Sequence, residues 1–318
     1  MRAVGRRMFL YNTVCEVVLY DYSGDVTGVL DACEQRSLDI QNMLNRYDNR
    51  SELSRLNQNY CPKVPYPLSK ELFFLLQSVW RFSRLCDGAF DATVGKLVGL
   101  WDFTAEDPAV PREKEIESSL AACGYQKVDF WETDYSVIIQ VPGMEIDGGG
   151  FGKGYAIGQV LQVLQKAGVS SALINYGGNM FLLGENPEGT GKEGWRVGIQ
   201  APWEEKGKCL ASLCFSNLGI ATSAGYERYF RKEGKAYWHI LDPVRGRPAD
   251  TGIKSVSIIS DNPLITDLMS TAFFVLGLEK GEEVARRLRD YVVLEYVAQT
   301  EEKLILSEGA KIWNQYGG

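Results

Sequence analysis

Between residues 145 and 155 the chain reads Glu145-Ile146-Asp147-Gly148-Gly149-Gly150-Phe151-Gly152-Lys153-Gly154-Tyr155, with five glycines inside seven residues. Ile157, Val160, Leu161 and Leu164 follow at i, i+3, i+4 and i+7, and Gly168 stands where a C′ glycine belongs. The pattern demands a short apolar lead-in, a tight turn and then an amphipathic helix. A glycine-rich turn opening a helix lets backbone N–H groups approach an anion, which the helix dipole also favours. Lys153 adds a full positive charge, so phosphate is the expected guest. The bland alternative is a strand-to-helix turn whose glycines serve geometry alone.

The familiar phosphate fingerprints do not fit this stretch. A Walker A loop needs a glycine five residues before the Gly-Lys pair and a Ser or Thr after it, where this chain has Asp147 and Gly154. The dinucleotide pattern fails at its third glycine, which is Tyr155. Charge narrows the partners further. The net charge of −7 argues against nucleic acid as a partner, so any phosphate affinity must be local. Seven scattered cysteines, an odd number without a C-x-x-C, and one histidine leave no zinc site and suggest reduced thiols.

No apolar run is long enough to span a bilayer. Arg2, Arg6 and Arg7 precede an apolar stretch as in a leader, but Glu16 interrupts it and the stretch reads better as a strand. The expectation is a cytoplasmic protein, or an extracytoplasmic, membrane-anchored one if a leader has been removed.

From the N-terminus, Met8 to Tyr20 reads as β, and Asp25 caps a helix to about Tyr47 that buries Val29, Leu30, Cys33, Ile40 and Leu44. The polar run from Tyr47 to Asn57 reads as a loop. Ser69 caps a helix to about Leu85, and Pro111 opens a charged helix to about Cys123. Past the central helix, strands are expected at 172–176, 180–183, 195–200, 210–215, 219–223, 226–231, 236–241 and 255–260. A Lys-Glu-Gly-Lys turn joins the strands at 226–231 and 236–241. Helices at 264–276 and 280–290 and a hairpin from Val292 to Leu306 close the chain. Long helices among hairpins argue for an α+β fold in one domain over residues 1–318.

Few other residues suggest chemistry. His239, the only histidine, lies at a strand-to-turn junction beside Asp242; a lone histidine is as readily a structural residue, although functional groups gather at such edges. Asp267 and Thr271 stand at i and i+4 on one helix and offer hard oxygen ligands suited to Mg²⁺. The alternative is an Asp satisfying the helix dipole and a back-bonding Thr. No G-x-S-x-G occurs, and nothing selects a glycosidase carboxylate pair.

Several of these stretches fall in one order. They are Ser51-Glu52-Leu53-Ser54-Arg55-Leu56-Asn57, Gly88 to Leu97 reaching Trp101, Asp147 to Tyr155, and Asn175-Tyr176-Gly177-Gly178-Asn179. Ala221-Thr222-Ser223, His239-Ile240-Leu241-Asp242-Pro243 with Gly246, and Asp267 with Ser270-Thr271 complete the series. From Thr13 to about Leu276 the chain thereby resembles the ApbE family of flavin transferases.

The resemblance implies a T-fold-like α+β architecture of duplicated strand–helix units with antiparallel sheets packed by helices. It also implies Mg²⁺-dependent transfer of FMN from FAD to a Thr or Ser hydroxyl of a partner flavoprotein, with release of AMP. The metal would be held by Asp267, Thr271 and the carbonyl of Gly150. FAD would lie against Tyr11, Tyr47, Ala89, Phe90, Asp91, Asp147, Lys153, His239 and Leu241, with Asp267 or His239 as the base. The chain departs from the family's usual pattern at Tyr11-Asn12-Thr13, Gly148, Gly152, Gly158 and Arg245. Two other readings use the same site: an FAD pyrophosphatase giving FMN and AMP, and an FAD-binding carrier without turnover.

Overall fold

The structure, a computed structural model, describes residues 3–187, 194–202, 207–301, 303–310 and 312–315. Arg2, the first arginine of the leader-like stretch, and Glu302, in the turn of the last hairpin, lie outside the described residues.

Among the described residues, eight antiparallel strands form the main sheet: β1 (Ala3–Leu10), β2 (Thr13–Tyr20), β3 (Ala172–Tyr176), β4 (Asn179–Leu183), β5 (Leu218–Ala224), β6 (Ser255–Ser260), β7 (Leu294–Gln299) and β8 (Leu304–Leu306). Their order in space is their order in the chain. The helices are α1 (Val26–Leu44), α2 (Glu52–Asn59), α3 (Lys70–Leu85), α4 (Gly95–Trp101), α5 (Glu113–Ala121), α6 (Gly152–Lys166), α7 (Pro263–Leu276) and α8 (Leu278–Leu288). The first six connect β2 to β3, and the last two connect β6 to β7. Each half of the sheet therefore consists of a strand pair, a helical connection and a second strand pair. This is an α+β architecture.

Helices α1, α6 and α7 pack side by side over one face of the sheet. A three-stranded sheet (195–200, 209–215 and 312–315) covers the other face, where Trp195, Val197, Ile199 and Leu213 meet Leu182, Ile220, Ile259 and Val297. Alternation is clear in β2, where Cys15, Val17 and Leu19 point inward.

The expected strand Met8–Tyr20 is a hairpin. Tyr11 and Asn12 take positive φ (52° and 56°), the two-residue turn whose twist suits antiparallel strands. The polar run after Tyr47 was expected to be a loop, but it contains α2: the Ser51 hydroxyl accepts from the Ser54 N–H and so caps the helix, while Leu53 and Leu56 are fully buried. The strand expected at 226–231 begins instead at Tyr229 and pairs with Lys235–Trp238 through the expected turn at Glu233 and Gly234. Helix α4 and a small sheet of 66–67, 128–131 and 136–139 carried no sequence expectation.

Helix α6 follows the sequence pattern closely. Ile157, Val160, Leu161 and Leu164 are all buried. Its end is a Schellman motif: Gly168, at φ 75°, donates to the Gln165 carbonyl and Val169 to that of Leu164.

Candidate active site

The start of α6 is pressed against the second turn of α7, and glycine is what permits the contact. A Cβ on Gly154 would lie 2.4 Å from the Pro263 carbonyl oxygen and 2.6 Å from Asp267 Cβ. At this distance the Gly154 N–H donates to Asp267 Oδ2 (2.8 Å), and Asn179 Nδ2, at the start of β4, donates to Oδ1 (2.8 Å). Lys153 Nζ stands 3.9 Å from Oδ1. Asp267 is only 5% exposed, so a charged carboxylate is held in the interior by one backbone donor, one amide and one ammonium.

One turn further along α7, Thr271 Oγ1 lies 3.4 Å from Ser223 Oγ of β5, too far for a strong bond. Ser223 itself donates to Ser270 Oγ (3.0 Å), which donates to the Asp267 backbone carbonyl (3.0 Å). Asp267 and Thr271 thus share one face of α7, backed by the Ser223 hydroxyl of β5.

Several backbone donors of the glycine turn are already engaged within the protein. Gly149 donates to Asp147 Oδ1 (2.7 Å), Gly152 to the Gly148 carbonyl (2.8 Å), and Gly154 to Asp267. Among the described residues, the N–H groups of Gly148, Gly150 and Lys153 have no protein acceptor. The helix start already has one carboxylate of its own, and the turn retains three amides, two of them at Gly150 and Lys153 beside the helix start. Phe151, the N-cap residue, supplies no capping side chain. Gly150 lies against the Phe90 ring, where a Cβ would come within 2.7 Å.

The other expected contacts occupy varied settings. Ala89 and Phe90 are buried beneath the turn. Asp91 is buried with its carboxylate committed: Oδ1 accepts from the Thr93 N–H and hydroxyl, and Oδ2 from the Tyr125 N–H. Burial pushes its pKa up, against the lowering effect of those bonds. Asp147 accepts from Arg46 Nη1 (2.9 Å) and lies beside the turn. Tyr47 is 78% exposed, its ring 5.1 Å from the Arg46 guanidinium. Tyr11 is turned into the fold, donating its hydroxyl to the Ser37 carbonyl and stacking on Tyr176.

His239 is half-buried, with its backbone N–H donating to the Arg228 carbonyl and its ring Nδ1 3.3 Å from the same oxygen. Burial pushes its pKa down to about 4, with Arg228 and Lys153 adding repulsion, so it is neutral at pH 7 and lies within electrostatic reach of Lys153. Leu241 is buried in a separate aromatic cluster with Trp101.

Sequence reasoning did not single out Asn179, Ser223 or Arg46 for a role. The first two sat inside quoted motifs, but only folding shows that they face α7. Nothing around Arg46 in the sequence signalled it.

Among the described residues, no group of three or more His, Cys, Asp or Glu is placed to hold a metal. The donor set at α7 is one carboxylate and neutral oxygens, which suits a hard cation that keeps part of its water shell and does not suit zinc. Each Asp267 oxygen accepts one short bond and retains a lone pair, and Thr271 has no strong partner. The residues fit Mg²⁺.

Together these features define an α+β protein in which a glycine turn, an ammonium and a buried carboxylate meet at a helix start. The chain belongs to the ApbE family, whose model matches residues 11–294. It is similar to an FAD:protein FMN transferase of Klebsiella pneumoniae (strain 342), at 36% identity over 254 residues, 78% of each chain. A protein of the same name from Treponema pallidum (strain Nichols) is 29% identical over 293 residues, 88% of this chain and 81% of that one. Among solved structures, the ApbE protein of Thermotoga maritima superimposes with a TM-score of 0.85 at 30% identity, covering 96% of this chain and 97% of that one. The flavin transferase ApbE from Vibrio cholerae gives 0.85 at 25% identity with the same coverage.

Proposed function

We propose that this chain is an FAD:protein FMN transferase, which moves FMN from FAD to a Thr or Ser hydroxyl of a partner protein and releases AMP. The observation that carries the reading is the meeting of Asp267, Lys153 and the start of α6, since attack on a diphosphate needs positive charge and oriented donors at its oxygens. In the reaction the acceptor oxygen bonds to the FMN phosphorus, and the bond from that phosphorus to the bridging oxygen breaks. AMP leaves with the bridging oxygen, and the hydroxyl proton passes to a base.

Each residue has a part in this scheme. The Lys153 ammonium and the free N–H groups of Gly150 and Lys153 face the phosphoryl oxygens. Asp267, Thr271 and the Gly150 carbonyl would hold Mg²⁺, which when bound supplies charge neutralisation to the diphosphate. Asn179 and the Gly154 N–H orient Asp267. His239, neutral at working pH, accepts the proton, with Asp267 as the other candidate. Tyr47 offers an exposed ring face to the isoalloxazine or the adenine.

The test is incubation with FAD, Mg²⁺ and a flavin-acceptor domain. In-gel flavin fluorescence on the acceptor, with stoichiometric AMP, is the expected result. AMP with free FMN and an unlabelled acceptor would identify a pyrophosphatase, and stoichiometric bound FAD without AMP a carrier.

A further inference from the structure

Asp147 poses an electrostatic problem. Its carboxylate sits two residues before Gly149 and three before Gly150, beside amides that must take a diphosphate, and Glu145 adds a second negative charge. Both carboxylates converge on Arg46, which lies at the end of α1: Nη1 donates to Asp147 Oδ2 (2.9 Å) and Nη2 to Glu145 Oε2 (3.1 Å). Nη1 also donates to the Gly95 carbonyl at the start of α4 (2.8 Å).

The Arg46 side chain is only 11% exposed. Glycine at position 95 makes room for it, since a Cβ there would come within 2.8 Å of Nη1. A guanidinium held flat by a carbonyl and two carboxylates is a fixed part of the turn. Asp147, held through Oδ2, presents Oδ1 to the Gly149 N–H and so sets the turn that leaves Gly150 open.

We propose that Arg46 is a positioning residue of the anion site, cancelling the charge of Asp147 and holding its carboxylate so that the glycine turn accepts a diphosphate. This rests on the reading that the turn takes the diphosphate of FAD. Arg46 also supports Tyr47 through its guanidinium face, which ties that exposed ring to the same anchor.

The experiment is a double-mutant cycle on FAD affinity, measured by calorimetry with Mg²⁺ at fixed ionic strength, using the wild type, Arg46→Met, Asp147→Asn and the double variant. Arg46→Met should raise the Kd by about tenfold, as when one partner of a part-buried charge pair is removed. Adding Asp147→Asn, which keeps an oxygen for the Gly149 N–H but removes the charge, should restore most of the affinity. A purely structural role predicts no such rescue.

Arg46→Lys, which retains the charge without the fork, should fall between wild type and Arg46→Met, and it serves if the methionine variant does not fold. Arg46→Met or Arg46→Lys with wild-type affinity, or a double variant no better than Arg46→Met, overturns the proposal. Wild-type protein that binds no FAD sinks both this inference and the transferase reading, whereas wild-type binding with unaffected variants sinks this one alone.

Discussion

Gly154→Ala should damage the protein out of proportion to the single methyl group it adds. The new Cβ would stand 2.4 Å from a backbone oxygen and 2.6 Å from Asp267 Cβ, against a comfortable separation of about 3.5 Å. Neither neighbour is the free end of a flexible chain, so α6 and α7 must part by about 1 Å. Overpacking of this kind costs roughly 1–3 kcal/mol. Weakening the Gly154 N–H bond to a charged carboxylate costs roughly 1.5–3 kcal/mol more. Alanine's better helix propensity returns up to about 1 kcal/mol.

The net loss is about 1.5–6 kcal/mol, which for a chain of this size lowers Tm by roughly 2–9 °C. Because the same shift moves Asp267, FMN transfer should fall by about a hundredfold, the cost of misplacing a reacting group by about 1 Å. Gly158→Ala is the control: it lies one turn along the same helix with no atom within 4 Å of its Cβ. It should gain about 0.5–1 kcal/mol and leave transfer unchanged. Thermal unfolding and in-gel flavin transfer read both variants. Wild-type Tm and rate in Gly154→Ala would refute the packing of α6 on α7 as the determinant of the site.

Asp267→Asn should reduce transfer by about 10²–10³-fold, as expected on removing a central electrostatic group, while costing no more than about 3 kcal/mol of stability; near-normal turnover in a folded variant would remove it from the mechanism. His239, neutral in the fold with a pKa of about 4 against 6.5 when exposed, leaves the unfolded chain binding the extra proton between those values. Its stabilisation is therefore complete above pH 6.5 and declines as pH falls towards 4, so His239→Gln should flatten that part of the stability profile. A histidine inflection near pH 6.5 in the wild-type rate profile would contradict its half-buried, neutral state. Asp91→Asn should act on stability first, by about 1–3 kcal/mol, because an amide cannot accept from both Thr93 and Tyr125 as the carboxylate does. A large change in the KM for FAD with unchanged Tm would instead place Asp91 against the ligand.

What was legible in the sequence follows from how local each determinant is. The buried face of α6, its Schellman end and the Lys232–Lys235 turn are set by residues within a few positions of one another, and side-chain periodicity or a glycine reports them directly. The hairpin at Tyr11–Asn12 was missed because two non-glycine residues adopt positive φ there, so no glycine marked the break. Helix α2 was missed because its polar residues outnumber Leu53 and Leu56, whose burial depends on distant partners.

The site is legible only in part for the same reason. Asp267 and Thr271 share a helix face, so their i, i+4 spacing announced them. The groups that orient Asp267 come from α6 and β4, separated from it by 113 and 88 residues. The composition of the glycine turn implied a set of open amides, yet Asp267 occupies the Gly154 N–H that composition alone would have assigned to the ligand. A carboxylate that both caps α6 and faces the proposed metal couples helix packing to catalysis. Substitutions between α6 and α7 should therefore change rate and stability together, whereas those at Arg46 should change FAD affinity through charge.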